Sequence, residues 1–199
     1  MSKSTTQSAE RTTLVYDDDG LGRPPWAMSS PLLKEYYDAE WGLPIFEEAA
    51  LYERLSLESF QSGLSWAVVL KKREAFRAAF CNFDPDKVAE FDEADVERLL
   101  GDASIIRNET KIRAAINNAK ATIALREEGG LAEFIWAFQP PENLYPTVME
   151  DIPKKSYESK LMSRELKKKG FRFVGPVTCF ALMEAIGMVD THLLGSHRR

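Results

Sequence analysis

The stretch LYERLSLESFQSGLSW, Leu51 to Trp66, constrains the fold more tightly than any other. Leu51 and Leu55 share one face at helical spacing, and Tyr52, Leu57, Phe60 and Leu64 spread apolar surface around most of the rest. A helix apolar on nearly every side belongs inside a core. Glu58 falls on the Leu51–Leu55 face, where that pattern asks for a leucine. An unpaired carboxylate there costs several kcal/mol, so it must find a partner, take up a proton or await a ligand. A nearby Arg, or a neighbouring helix end to cap, would satisfy it without any function. Gln61 lies one turn on, Gly63 ends the helix and Trp66 follows it. An acceptor, an amide and a large aromatic face at one helix end suit a pocket for a flat polar ligand.

The rest of the chain reads as helices. Ser30-Pro31 opens a short one containing Leu32 to Tyr37, and residues 67–80 read as one amphipathic helix. Asp84-Pro85 and Asp92 are helix starts, and Asn108 to Arg126 carries the stripe Ile112, Ile116, Ala119 and Ile123 before Gly129-Gly130. A short apolar helix over 131–138 precedes a Pro-rich loop to Pro153. Ser156 caps a basic helix that stops at Gly170, and Pro176 opens a final apolar helix ending at Gly187. No β-alternation or internal repeat appears, so the expected fold is all-α. The Ser/Thr-rich segment 1–22, ending in DDDG, is expected to be a disordered tail, with a single helical domain over 23–199. Trp26, Tyr36, Tyr37 and Trp41 cluster close together, as core plugs or as stacking surface.

Composition excludes several classes. No apolar run approaches the roughly 18 residues that cross a bilayer, and the N-terminus lacks the apolar core of a secretory signal. Cys81 and Cys179 are far apart and read as reduced residues. A cytoplasmic monomer without membrane association is the expectation. The two histidines both lie near the C-terminus, and there is no Gly-rich nucleotide loop, Ser/His/Asp pattern or cluster of metal ligands.

Net charge is −5, yet Pro153 to Phe173 holds eight Lys or Arg against Glu158 and Glu165. That segment is either a solvated helix face or a footprint for phosphate on an otherwise acidic protein. Its basic helix joins the last helix through six residues, GFRFVG, with glycines at 170 and 175. Gly175 stands before an N1 proline, so the last helix offers free amides beside a residue without a side chain, which suits a phosphate. A tight αα corner plugged by Phe171, Phe173 and Val174 is the plainer reading. Hairpin and basic helix together favour a helix–hairpin–helix element that grips the DNA backbone without reading sequence.

Several motifs are similar to those of one family: YYDAEWGLP (36–44), LESFQSGLSW (57–66) with VLKKRE (69–74), FDP (83–85), DVERLL (95–100), IIRNETKI (105–112) and KKKGFRFVGPVTCF (167–180). They are collinear and span roughly Trp26 to Gly195. The sequence resembles the bacterial 3-methyladenine DNA glycosylase I family, within the helix–hairpin–helix glycosylases. The resemblance implies an all-α fold and hydrolysis of the N-glycosidic bond of 3-methyladenine flipped out of duplex DNA, the first step of base excision repair. It implies a hydrogen bond from the extruded base to Glu58 and an aromatic lining of Trp26, Tyr36, Trp41 and Trp66, beside Gln61. It also implies a DNA anchor at Gly170, Phe171, Arg172, Phe173 and Gly175, approached by Lys168 and Lys169. A non-catalytic binder of alkylated or distorted DNA is the competing reading.

One departure stands out. Zinc-binding members of the family carry Cys, His, His and Cys at positions that here read Pro24, Tyr37, His192 and Ser196. One imidazole does not make a structural zinc site, even with His197 to spare. No metal and no cofactor are expected, with Tyr37 filling the space of the ion.

Overall fold

The computed structural model describes residues 13–199. Residues 1–12, part of the expected tail, lie outside the described residues. From residue 13 the chain departs from that expectation. It forms an antiparallel pair, β1 (Val15–Tyr16) and β2 (Gly22–Arg23), with Val15 opposite Arg23. The acidic run is the turn between them: Asp17 and Asp19 accept from the backbone of Asp18 and Leu21, and Gly20 supplies φ +71°. The ordering force is Arg23, 1% exposed, which grips Asp19 at 2.8 Å and Asp38 at 2.7 Å. A charge run that looks solvated in sequence is here the acceptor set for a buried guanidinium.

Among the described residues the other regular elements are helices, as the sequence predicts. Helix α1 (Pro31–Ala39) opens with the Ser30 hydroxyl accepting from the Leu33 amide. Helix α2 (Glu48–Gln61) starts a little before the predicted stretch, capped by the Glu47 carboxylate at the Ala50 amide. The single helix expected over 67–80 is two, α3 (Trp66–Lys71) and α4 (Arg73–Ala79). The break at Lys72 lets its ammonium cap the carbonyls of Ala103 and Ser104 at 3.2 and 2.7 Å. Helices α5 (Pro85–Ala89) and α6 (Glu93–Gly101) start at the predicted caps Asp84 and Asp92. Asn108 caps α7 (Glu109–Leu125), and α8 (Gly130–Trp136), α9 (Tyr157–Lys168) and α10 (Pro176–Ala185) follow.

Helix α2 runs through the centre, packed against α7, α8 and α10. Leu55, Leu57 and Phe60 on it are wholly buried. Each contributes roughly 1.5–3 kcal/mol, enough together to carry one misplaced carboxyl. A smaller cluster of Leu33, Tyr36 and Leu70, with Trp26, Trp41 and Trp66 against it, lies beside this core. Its aromatics form one wall of the cavity that Glu58 faces.

Candidate active site

A cavity of about 370 Å³ opens between α1, α2, α10 and the C-terminal segment. All six residues predicted for the pocket line it: Glu58 and Gln61 from α2, Trp66 at the start of α3, Tyr36 from α1, and Trp26 and Trp41 from the flanking turns. Trp26 meets Trp41 edge to face at 5.5 Å, and Tyr36 lies 5.5 Å from Trp66. The cavity beside these rings, walled by aromatic surface with Glu58 and Gln61 on it, suits a flat polar heterocycle. Of the aromatics read in sequence as core plugs or stacking surface, Trp26, Tyr36 and Trp41 are both, since they belong to the smaller core and also border the cavity.

Glu58 is 5% exposed, and no hydrogen bond reaches its carboxyl among the described residues. Burial raises its pKa to about 7; Arg54 lowers it and Glu184 raises it. Arg54, one turn back on α2, is the partner that a purely structural Glu58 would use, but it is committed elsewhere. It donates to the Tyr36 hydroxyl at 2.5 Å and pairs with Glu40, which also binds Arg73 at 2.7 Å. Burial opposes ionisation of Glu40, but Arg73 and Arg54 outweigh it and hold that carboxyl below its ordinary range. The guanidinium of Arg54 also lies 5.2 and 5.4 Å from the rings of Tyr36 and Trp66. Its field reaches Glu58, while Glu58 keeps its lone pairs free for the cavity.

Sequence reasoning missed Arg54, Glu184 and the clamp on the hairpin described next. Arg54 is visible as the i−4 neighbour of Glu58, and Glu184 as an acid in an apolar helix.

The hairpin between α9 and α10 lies on the flank of the cavity, since α10 starts at the hairpin and lines the cavity further along. Gly170 closes α9 with φ +89°. Asn118 on α7 both donates to the Arg172 carbonyl at 3.0 Å and accepts from its amide at 2.7 Å. Asn117 holds the Gly170 carbonyl and Ser163 that of Val174, while Ser59, beside Glu58, reaches the Phe173 carbonyl at 3.2 Å. These bonds fix the backbone in advance. No atom lies within 4 Å of where a side chain would begin at Gly170 or Gly175, so the approach to the amides is open.

Phe171, expected among the DNA-facing residues, is 2% exposed and packs into the core. Only its backbone remains available, because a six-residue turn needs an apolar anchor to stay in place. Arg172 and Phe173 are exposed. Lys168 pairs with Glu165 at 3.0 Å and Lys169 with Glu128 at 2.5 Å. Such surface pairs are worth no more than about 1 kcal/mol and yield readily to a phosphate.

The four positions of the family's zinc site do not fit the ion here. Pro24 has no donor, and the Tyr37 and Ser196 hydroxyls are hydrogen-bonded to each other at 2.5 Å. The Tyr37 ring stands 5.5 Å from the His192 ring, and His192 Nδ1 is bonded to Asp190 at 2.7 Å. The join between the two ends of the fold is made by other means. His197 reaches Asp38 at 3.1 Å, and Arg199 holds the Leu144 carbonyl at 2.7 Å and the Asp190 carboxylate at 3.2 Å. Purified protein should therefore carry far less than one equivalent of zinc by elemental analysis, and a chelator should leave its melting temperature unchanged. A content near one equivalent would contradict this.

Helices closed around a recess for one flat aromatic ligand, with a pre-set hairpin on its flank, define a class of helical base-binding protein. The family model for methyladenine glycosylases matches residues 26–199. DNA-3-methyladenine glycosylase 1 of Escherichia coli (strain K12) is 44% identical over 88% of this chain and 95% of its own. A crystal structure of 3-methyladenine DNA glycosylase I superposes with a TM-score of 0.82 at 42% identity, covering 85% of this chain and 94% of that one. A variant of such an enzyme solved in complex with 3-methyladenine superposes with a TM-score of 0.81 at 34% identity, covering 85% of this chain and 92% of its own. The chain belongs to the methyladenine glycosylase family.

Proposed function

We propose that the protein is a DNA-3-methyladenine glycosylase that takes the alkylated base from duplex DNA and leaves an abasic site. The observation that carries this is Glu58: a buried carboxyl with no hydrogen-bond partner among the described residues, facing a cavity walled by three tryptophans. The named activity of the relatives supports it.

The chemistry suits these residues. Alkylation at N3 makes the purine cationic, so its bond to the sugar is already weak. Cleavage sends the bonding pair from C1′–N9 into the ring and neutralises it. A water oxygen then bonds to C1′ and sheds its proton to solvent. With such a leaving group the step needs neither strong acid catalysis nor a metal-activated water. The protein's work is to extrude the nucleotide, at a cost of a few kcal/mol, and to hold it. Each aromatic face gives about 0.5–2 kcal/mol to a cation, and Glu58 gives a charge-assisted hydrogen bond. Uncharged, well-paired adenine gains less from both. Glu58 thus discriminates and stabilises and does not act as a general base. Gly170 to Gly175, with Lys168, Lys169 and Arg172, holds the phosphates. The protein acts as a monomer in the cytoplasm, without a metal, a cofactor or a membrane.

The test is chromatography of free base released from methylated duplex DNA, with DNA binding measured alongside. Release of 3-methyladenine supports the reading. Binding to methylated DNA without release would make the protein a damage binder instead.

A further inference from the structure

The cavity holds a second acid, half-buried beside the buried Glu58. Glu184 stands on the apolar helix α10 and borders the same space as Glu58. Among the described residues, one hydrogen bond reaches its carboxyl, from the Thr191 hydroxyl at 2.8 Å. The surrounding charges do not neutralise it. Arg54 on α2 is bound to Glu40 and Tyr36. Lys154, at the rim, is exposed. In the C-terminal segment, Asp190 is bound to Arg199 and to His192, which burial keeps below its ordinary pKa and hence neutral. Burial likewise keeps the hydroxyls of Tyr36 and Tyr37 protonated. Two carboxyls without a bonded cation therefore face one cavity.

Two such groups cannot both be charged without a large electrostatic cost. Burial raises each to about 7, and the charge of Glu184 adds to the rise at Glu58. Acids that interact in one site lose their protons in steps that belong to the pair.

We propose that Glu184, acting through Glu58, is a positioning residue for the reaction proposed above: the two carboxyls share one proton in the empty cavity and release it to solvent when a cationic base enters. The inference rests on the glycosylase reading. A cation between two carboxylates offsets their repulsion, so the proton leaves; a neutral base offers no such compensation and meets a pocket with one charge fewer. Glu184 thereby sharpens the preference for charged bases without being a partner of the bond that breaks.

The experiment is the pH dependence of kcat/KM for 3-methyladenine release from methylated duplex DNA, comparing wild type, Glu184→Gln and Thr191→Val. Glu184→Gln removes the like charge and keeps an acceptor for Thr191. Its acid limb should move down by about one pH unit, because Glu58 then ionises more easily. Thr191→Val removes the donor that favours the charged form of Glu184, and should move the limb in the same direction by a smaller amount. It also carries the test if Glu184→Gln does not fold. A folded Glu184→Gln with the wild-type limb would overturn the role of Glu184 and leave the glycosylase reading standing. Failure of the wild type to release base would overturn both.

Discussion

Glu58→Ala is expected to slow release of 3-methyladenine by two to three orders of magnitude. Truncating one partner of a buried, charged hydrogen bond costs roughly 2–5 kcal/mol, and each 1.4 kcal/mol is tenfold. The loss falls on this one side chain, since Glu184, the other carboxyl at the cavity, stands on α10 and already accepts from Thr191. Gln61 borders the same cavity but carries no charge, and Arg54 has the wrong sign. Single-turnover release measures the effect. If Glu58 recognises the cation, Glu58→Gln should weaken base binding and turnover together. Abolished turnover with unchanged base binding would instead make Glu58 a general base.

The same carboxyl is a cost to the fold. Its pKa stands at about 7 against the usual 4.5. A raised acid contributes stability that is fully present below its ordinary value and lost as pH climbs through about 7. Glu58→Gln should therefore be the more stable protein at pH 8, by on the order of 1–3 kcal/mol, with the gain vanishing near pH 4. Thermal melts at both pH values measure it.

Arg54→Met is the second large effect, and it has two parts. Arg54 is 4% exposed and joins Tyr36, Glu40 and the ring faces of the pocket. Removing one member of a buried ion pair commonly costs 3–5 kcal/mol. Here Glu40 keeps Arg73, so about 2–4 kcal/mol is expected, a fall in melting temperature of roughly 4–16 °C for a domain of this size. Glu58 meanwhile loses the cation that lowers its pKa. More base is then needed to ionise it, so the acid limb of the rate profile should move to higher pH, opposite in sign to Glu184→Gln. Lost stability with an unmoved limb would show that Arg54 only holds the helices together.

Much of this was legible in the sequence because the pattern of α2 leaves no doubt about where Glu58 points. A charged residue on the one face that must be buried is a strong signal, and the adjoining Gln61 and Trp66 place it at a cavity edge. Arg54 was harder to read. At i−4 from Glu58 it looks like that residue's ion-pair partner, and only the distant Glu40, beyond α1, diverts it. Glu184 carried the same signal as Glu58, but a single acid in PVTCFALMEAIG has no neighbouring amide or indole to suggest a pocket. The hairpin glycines announced the turn. The side chain that clamps it, Asn118, lies fully inside a regular helix, and nothing local separates it from any other buried amide. The acidic turn at Asp17–Asp19 read as a tail because its order depends on Arg23 bridging to Asp38, a contact with no local pattern.

Three of the four tryptophans, Trp26, Trp41 and Trp66, border the cavity, so its occupancy can be read directly from their emission. Titration of the protein with duplex DNA holding one 3-methyladenine nucleotide on a 2′-fluoro sugar, which slows loss of the base and keeps it cationic, should change the fluorescence saturably at one equivalent, much more weakly with adenine at that position, and weakly with either base in Glu58→Ala. Equal responses to the two bases, or an undiminished response in Glu58→Ala, would contradict the claim that this cavity and this carboxyl recognise the damaged base.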